Sequence, residues 1–123
     1  MKTTKKGIAR ILNAFKYSYD GFISAFKSEE AFRQDILVCT ILAPTAIFLP
    51  ITIVEKLFLF SSLFLIVLAE LTNTAIEMTI DRISDEIHPL SKIAKDIGSC
   101  LVLISFLYLI TVWGTILYAN FIK

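Results

Sequence analysis

Four polar side chains recur along one stretch of an otherwise apolar segment: Glu70, Asn73, Glu77 and Asp81 in AELTNTAIEMTIDR, residues 69–82. On a helix turning about 100° per residue they fall at about 0°, 300°, 340° and 20°, so all four share one face. Ionisable groups within a membrane span are expensive and rare, and they usually turn toward a bundle interior or a wet cleft where they bind ions or move protons. A single Glu is readily explained as protonated packing glue, but four aligned polar residues favour a site. Depth separates two roles, because Glu70 lies seven residues from Glu77, a rise of roughly 10 Å. Glu77, near headgroup level, can reach a hydrated divalent cation, and Mg²⁺ prefers one or two carboxylates together with substrate phosphates. Glu70, deeper and less solvated, suits a general base acting on an alcohol.

A second set follows in DRISDEIHPLSKIAKD: Asp85, Glu86, His88, Lys95 and Asp96. A lysine beside a carboxylate can bind a phosphate group while the carboxylate holds the lysine or a metal. Read alone, these residues are an ordinary solvated loop, and His88 an ordinary surface histidine. The four glycines form neither a P-loop nor a protein-kinase glycine-rich loop, so phosphoryl transfer here requires another architecture.

The elements that must position these groups are apolar helices. Hydrophobic residues make up 56% of the 123, well above a water-soluble domain. Ile36 to Val54 and Ile97 to Ile122 carry no charge, and Leu57 to Ile80 is interrupted only by Glu70 and Glu77. A span needs about 20 residues. The reading is all-α, with three spans at about 31–50, 54–80 and 94–121 in one membrane-embedded domain, 1–123. Pro44 is expected to kink the first span and Pro50 to end it, with Ser28 capping its start. The 81–96 segment reads as a short polar connector, broken by Pro89 and capped at Ser91.

Upstream, Ile8, Ile11, Leu12, Phe15, Tyr19, Phe22, Ile23 and Phe26 recur at steps of three and four, opposite Arg10, Asn13, Lys16, Tyr17, Asp20, Ser24 and Lys27. This predicts an amphipathic helix over 8–27 lying in the membrane interface. Of the twelve Lys and Arg residues, only Lys56 and Lys123 fall on the side opposite the N-terminus and the 81–96 loop. The positive-inside tendency places the N-terminus in the cytoplasm and the C-terminus outside. The basic start leads into an amphipathic pattern rather than a cleavable leader. Cys39 and Cys100 are expected to behave as reduced, small hydrophobes. Nucleic acid is not an expected partner.

The stretches EEAFRQD and AELTNTAIEMTIDRISDEIHPLSKIAKDIGS, with the amphipathic start, resemble the small bacterial membrane diacylglycerol kinases over nearly the whole chain. The resemblance implies an inner-membrane homotrimer, each subunit with three spans and an interfacial helix, that transfers the γ-phosphate of ATP to a lipid alcohol. It further implies Glu70 as catalytic base, and Glu29 and Glu77 as carboxylates holding Mg²⁺ with ATP. Arg10, Tyr17, Glu86, His88, Lys95 and Asp96 match nucleotide-contacting positions, and Asn73 and Asp81 match further polar positions. The lipid would contact Arg10, Ala14, Phe15, Lys16, Tyr17, Ser18 and Tyr19, then Ile23, Ser24, Ala25 and Phe26. It would also meet Ala31, Phe32, Arg33, Gln34 and Asp35, with Glu70, Ser99 and Trp113.

AFRQD and DIGS resemble the diacylglycerol branch, whereas the proline in EIHPLS also occurs in a form that the polyprenol branch resembles; undecaprenol is therefore the alternative substrate. A competing class is a small proton-conducting or proton-coupled oligomer. It accounts for Glu70 but gives no role to Glu29, to Glu86 and His88, or to Lys95 and Asp96.

Overall fold

A computed structural model describes residues 6–122; Lys2, Lys5 and Lys123, which enter the charge count above, lie outside the described residues. Among these residues the chain is all-helical: α1 (Ile8–Ser28), α2 (Glu30–Phe48), α3 (Ile53–Ile83) and α4 (Pro89–Leu117), closed by a π-helical turn, Tyr118–Ile122. The predicted helix over 8–27 and the three predicted apolar segments correspond to these four helices in order. By length and composition α2 and α4, the latter with its terminal turn, can cross a membrane; only 17% and 11% of their apolar windows are covered by the rest of the chain. Helices left so bare are not the core helices of a water-soluble domain. The 31-residue α3 is the central element and packs against all three others.

Gly7 precedes α1 with φ of 67°, a left-handed conformation that glycine adopts without a steric penalty. The apolar stripe of α1 is exposed from Ile8 to Tyr19 and meets the bundle only near its C-terminal end. There Ala25 is buried, and the Phe22 ring meets fully buried Phe32 edge-on at 5.2 Å.

The α1–α2 corner corrects one expectation. Ser28 does not cap α2; it is the last residue of α1, and the break is the single extended residue Glu29. Arg33 is the capping side chain, its Nη1 donating to the carbonyls of Phe26 (2.7 Å) and Lys27 (3.0 Å). A guanidinium placed there satisfies carbonyls that a helix C-terminus leaves unpaired.

Pro44 lies inside α2, which ends at Phe48 just before Pro50. A reciprocal capping box then starts α3: Thr52 Oγ1 accepts from the Glu55 N–H (3.2 Å), and Glu55 Oε1 accepts from the Thr52 N–H (3.0 Å). The connector between α3 and α4 is shorter than the 81–96 segment read from the sequence, only Ser84 to His88. Pro89 does not break a helix but begins one, since a first-turn proline lacks only an N–H that would be unpaired anyway. Ser91 is inside α4, and the cap is His88, whose Nδ1 accepts from the Leu90 N–H at 3.1 Å.

The core at the end opposite this connector joins Ala46, Leu59, Trp113 and Ile116. Trp113 Nε1 donates to Ser62 Oγ (3.0 Å), and that hydroxyl donates to the Leu59 carbonyl (2.6 Å). Ser62→Ala leaves the indole N–H buried without an acceptor, so a destabilisation of about 1–2 kcal/mol is expected. Unfolding of wild type and variant in the same detergent checks it.

Candidate functional site

The polar stripe of α3 runs from the bundle interior out to its connector end. Glu70 is 6% exposed and Thr74, one turn on, is 5% exposed; Asn73 and Glu77 are half-buried, and Asp81 is exposed. One helix face therefore samples the whole range from desolvated to wet.

Glu70 faces Asp35 of α2, itself buried, and their carboxyl groups lie within hydrogen-bonding reach. Ionised carboxylates offer only acceptors, so with both charged Asp35 Oδ2 is left buried without a donor. Glu77 and Glu29 are the next charged neighbours of Glu70. The α1–α2 corner thus brings Glu29 toward the same end of the bundle as the stripe. One turn from Asn73, Glu77 accepts through Oε1 from Asn73 Nδ2 at 3.1 Å, and among the described residues nothing bonds its second oxygen.

Below this carboxylate cluster, Lys95 Nζ donates to Asp81 Oδ1 (2.8 Å) and ties the foot of α4 to the end of α3. Lys92 pairs with Asp96 (2.7 Å) one turn apart. Both pairs border an open cavity of about 350 Å³, lined also by Ser84, Glu86 and His88. Four of the residues expected to contact nucleotide, Glu86, His88, Lys95 and Asp96, thus line one cavity with Asp81. Both lysines of the lining are paired to carboxylates, and Asp85 and Glu86 add two more, so a polyphosphate would suit this cavity only together with a divalent cation.

A second, mostly apolar groove of about 580 Å³ lies between α1 and α3. Ser18, Phe22, Ser24 and Ala25 line one wall, and Leu71, Thr74, Ala75 and Met78 the other. It reaches Thr74, one turn from Glu70, so an apolar ligand seated there brings a polar end close to the buried carboxylate.

The other expected site residues are dispersed. Arg10, Ala14, Phe15, Lys16, Tyr17 and Tyr19 are exposed along the free part of α1, and neither Arg10 nor Tyr17 lines the cavity at the α3–α4 connector. Ile23 is half-buried and Phe26 exposed near the corner, where Ala31 is exposed and Gln34 Nε2 meets Glu30 Oε1 at 3.5 Å. Phe32 and Arg33 brace that corner. Ser99 is exposed on α4, whereas Trp113 lies in the core, fourteen residues and roughly 21 Å further along the helix.

Among the described residues no three His, Cys, Asp or Glu side chains are gathered as a metal-binding set. Glu29 and Glu77, each a charged neighbour of Glu70, are hard oxygen donors of the kind that fit Mg²⁺ when substrate phosphates complete the shell. The sequence reading missed Thr74 as a lining residue and the pairing of Asp35 with Glu70. The spacing of four from Glu70 to Thr74 was a legible signal; the α2–α3 register that pairs Asp35 with Glu70 was not.

Fold and site together define a small all-helical protein with two apolar helices long enough to cross a membrane and a polar stripe on its central helix that begins at buried Glu70. Residues 16–117 match the family model described as prokaryotic diacylglycerol kinase. Similar proteins include the diacylglycerol kinases of Pseudomonas aeruginosa, 44% identical over 90% of each chain, and Haemophilus influenzae, 44% identical over 95% of this chain and 98% of that one. The diacylglycerol kinase of Escherichia coli is 36% identical over 98% of this chain and 99% of its own. The chain belongs to the prokaryotic diacylglycerol kinase family.

Ion pairs as exposed as Asp81–Lys95 contribute little to stability. Asp81→Asn is therefore expected to leave the thermal unfolding midpoint essentially unchanged. Calorimetric unfolding of wild type and variant in one detergent checks it.

Proposed function

We propose that the chain phosphorylates diacylglycerol, transferring the γ-phosphate of ATP to the lipid hydroxyl and giving phosphatidic acid. The observation that carries this reading is the course of the polar stripe on α3: it runs from buried Glu70, one turn from Thr74 in the apolar α1–α3 groove, to Asp81 in the polar cavity at the connector. In this reading the acyl chains follow the α1–α3 groove and the bilayer, and the hydroxyl meets Glu70. The polyphosphate lies toward Glu86, His88, Lys95 and Asp96.

Glu70 accepts the hydroxyl proton as the lipid oxygen bonds to the γ-phosphorus, and the bond to the β-phosphate oxygen breaks to release ADP. Mg²⁺ bound by Glu29, Glu77 and the phosphates would offset the charge on the transferred group. Lys95 holds phosphate oxygens in place, and Asn73 orients Glu77. Most of the acceleration then comes from positioning and fixed electrostatics.

The assembly belongs to the same proposal: three spans, α1 on the cytoplasmic face, the C-terminus outside, an inner-membrane location and a homotrimer. The bare flanks of α2 and α4 support it, because lipid or neighbouring subunits must cover them. The distance of Arg10 and Tyr17 from the connector cavity supports a site completed by a second subunit, since α1 of the same chain does not bring them there.

Glu70→Gln keeps shape and hydrogen bonding but cannot take the proton, so kcat should fall by about 100-fold or more. ATP affinity should persist, because the nucleotide rests on other residues. The check is kcat and nucleotide binding in one preparation of intact oligomer; near wild-type turnover would remove the general-base role. Pro89 after His88 keeps undecaprenol as the second reading. Wild-type protein offered both lipids in mixed micelles should show the higher kcat/KM with diacylglycerol, and the reverse preference would reassign the substrate.

A further inference from the structure

We infer that Gly98 is a positioning residue for Glu77, acting through the amide of Asn73; the inference rests on the reading that Glu77 holds the metal and nucleotide. Three observations meet at this point of the α3–α4 contact. Asn73 Nδ2 donates to Glu77 Oε1 at 3.1 Å. Asn73 Oδ1 is buried, and among the described residues it has no hydrogen-bond partner. Gly98 is buried on α4, and a Cβ built on it would collide with that same Oδ1 and crowd Asn73 Cγ at 3.3 Å.

The amide has only one useful orientation. An ionised Glu77 can only accept, so Nδ2 must face it, and Oδ1 then necessarily turns toward α4. What Oδ1 meets there is the space beside Gly98 that a side chain would fill. Any other residue at 98 would place carbon where the oxygen sits. The colliding atom is the far end of a side chain rather than backbone, and Asn73 Cα lies at an ordinary 3.7 Å. The clash is therefore relieved by rotating the Asn73 amide, at small expense to the fold. That rotation removes Nδ2 from Glu77.

Among the described residues, the hydrogen bond from Asn73 is the one that the Glu77 side chain makes. The Asn73–Gly98 contact lies one turn to its N-terminal side, and the Asp81–Lys95 pair one turn to its C-terminal side. Asn73 is the donor that selects which carboxylate oxygen faces away from the helix. Partners of this kind around metal-holding carboxylates typically matter 10- to 100-fold in metal affinity.

The test compares Gly98→Ala, Glu77→Gln, Asn73→Ala and the Gly98→Ala/Asn73→Ala double variant. Binding of Mg²⁺ with a non-hydrolysable ATP analogue is measured by calorimetry, alongside the thermal unfolding midpoint and the KM for lipid. Gly98→Ala should fold with little change in midpoint, weaken Mg²⁺-dependent nucleotide binding about 10-fold and leave the lipid KM unchanged. Adding Gly98→Ala to Asn73→Ala should cost nothing further, because the amide it displaces is already gone. Full Mg²⁺-nucleotide affinity in Gly98→Ala, beside a loss in Glu77→Gln, overturns the role of Gly98 alone. Unchanged affinity in Glu77→Gln overturns the reading of Glu77 itself. A Gly98→Ala penalty that persists without Asn73, including failure of the double variant to fold, shows that Gly98 serves only helix packing and also overturns the inference.

Discussion

Placing Glu70 inside an apolar bundle is the constraint that organises the rest of the chain. A desolvated carboxylate is tolerated only where neighbours offer protons, hydrogen bonds or a path to water. Each of the other helices contributes to that environment. Asp35 of α2 faces Glu70, α1 walls the groove beside Thr74, and α4 meets α3 at Asn73 and Asp81. The central position of α3 follows, since a helix at the edge could not receive partners from three sides.

The bundle divides its labour along its length. At the end away from the connector, polar groups are spent on holding helices together: the Thr52–Glu55 capping box, Asn120 bonded to Glu55 (2.8 Å), and the Trp113–Ser62 bond. Hydroxyls elsewhere in the apolar stretches, such as Thr40, Thr45 and Thr111, return to carbonyls one turn back and so cause no trouble in an apolar medium. Toward the connector the pattern reverses. Glu77 keeps an oxygen that no described residue bonds, and Asp81, Lys95 and Asp96 are open to solvent.

Much of this was legible in the sequence because it depends on periodicity. Helical spacing predicts the α1 stripe and the shared face of Glu70, Asn73, Glu77 and Asp81, and uncharged stretches mark α2 and α4. Relations between helices were not legible. Nothing in EEAFRQD says that Arg33 reaches back to the carbonyls of Phe26 and Lys27 and makes a cap at Ser28 unnecessary, or that Asp35 turns toward Glu70. Pro89 and Ser91 misled because helix starts and loops use the same residues, and only the His88 cap distinguishes them. The Thr52–Glu55 box, by contrast, stood in plain view as T-x-x-E and was passed over.

The corner at Glu29 gives α1 the mechanics of a cantilever. It is clamped at one end, where Arg33 grips the last carbonyls and Phe22 bears on Phe32, and unsupported from Ile8 to Tyr19. A load on the free arm is therefore delivered as torque at the clamp rather than absorbed along its length. Two residues beyond Arg33 in the chain stands Asp35, in contact with Glu70. The clamp that sets the angle of α1 is therefore separated from the buried carboxyl pair by a single turn of α2.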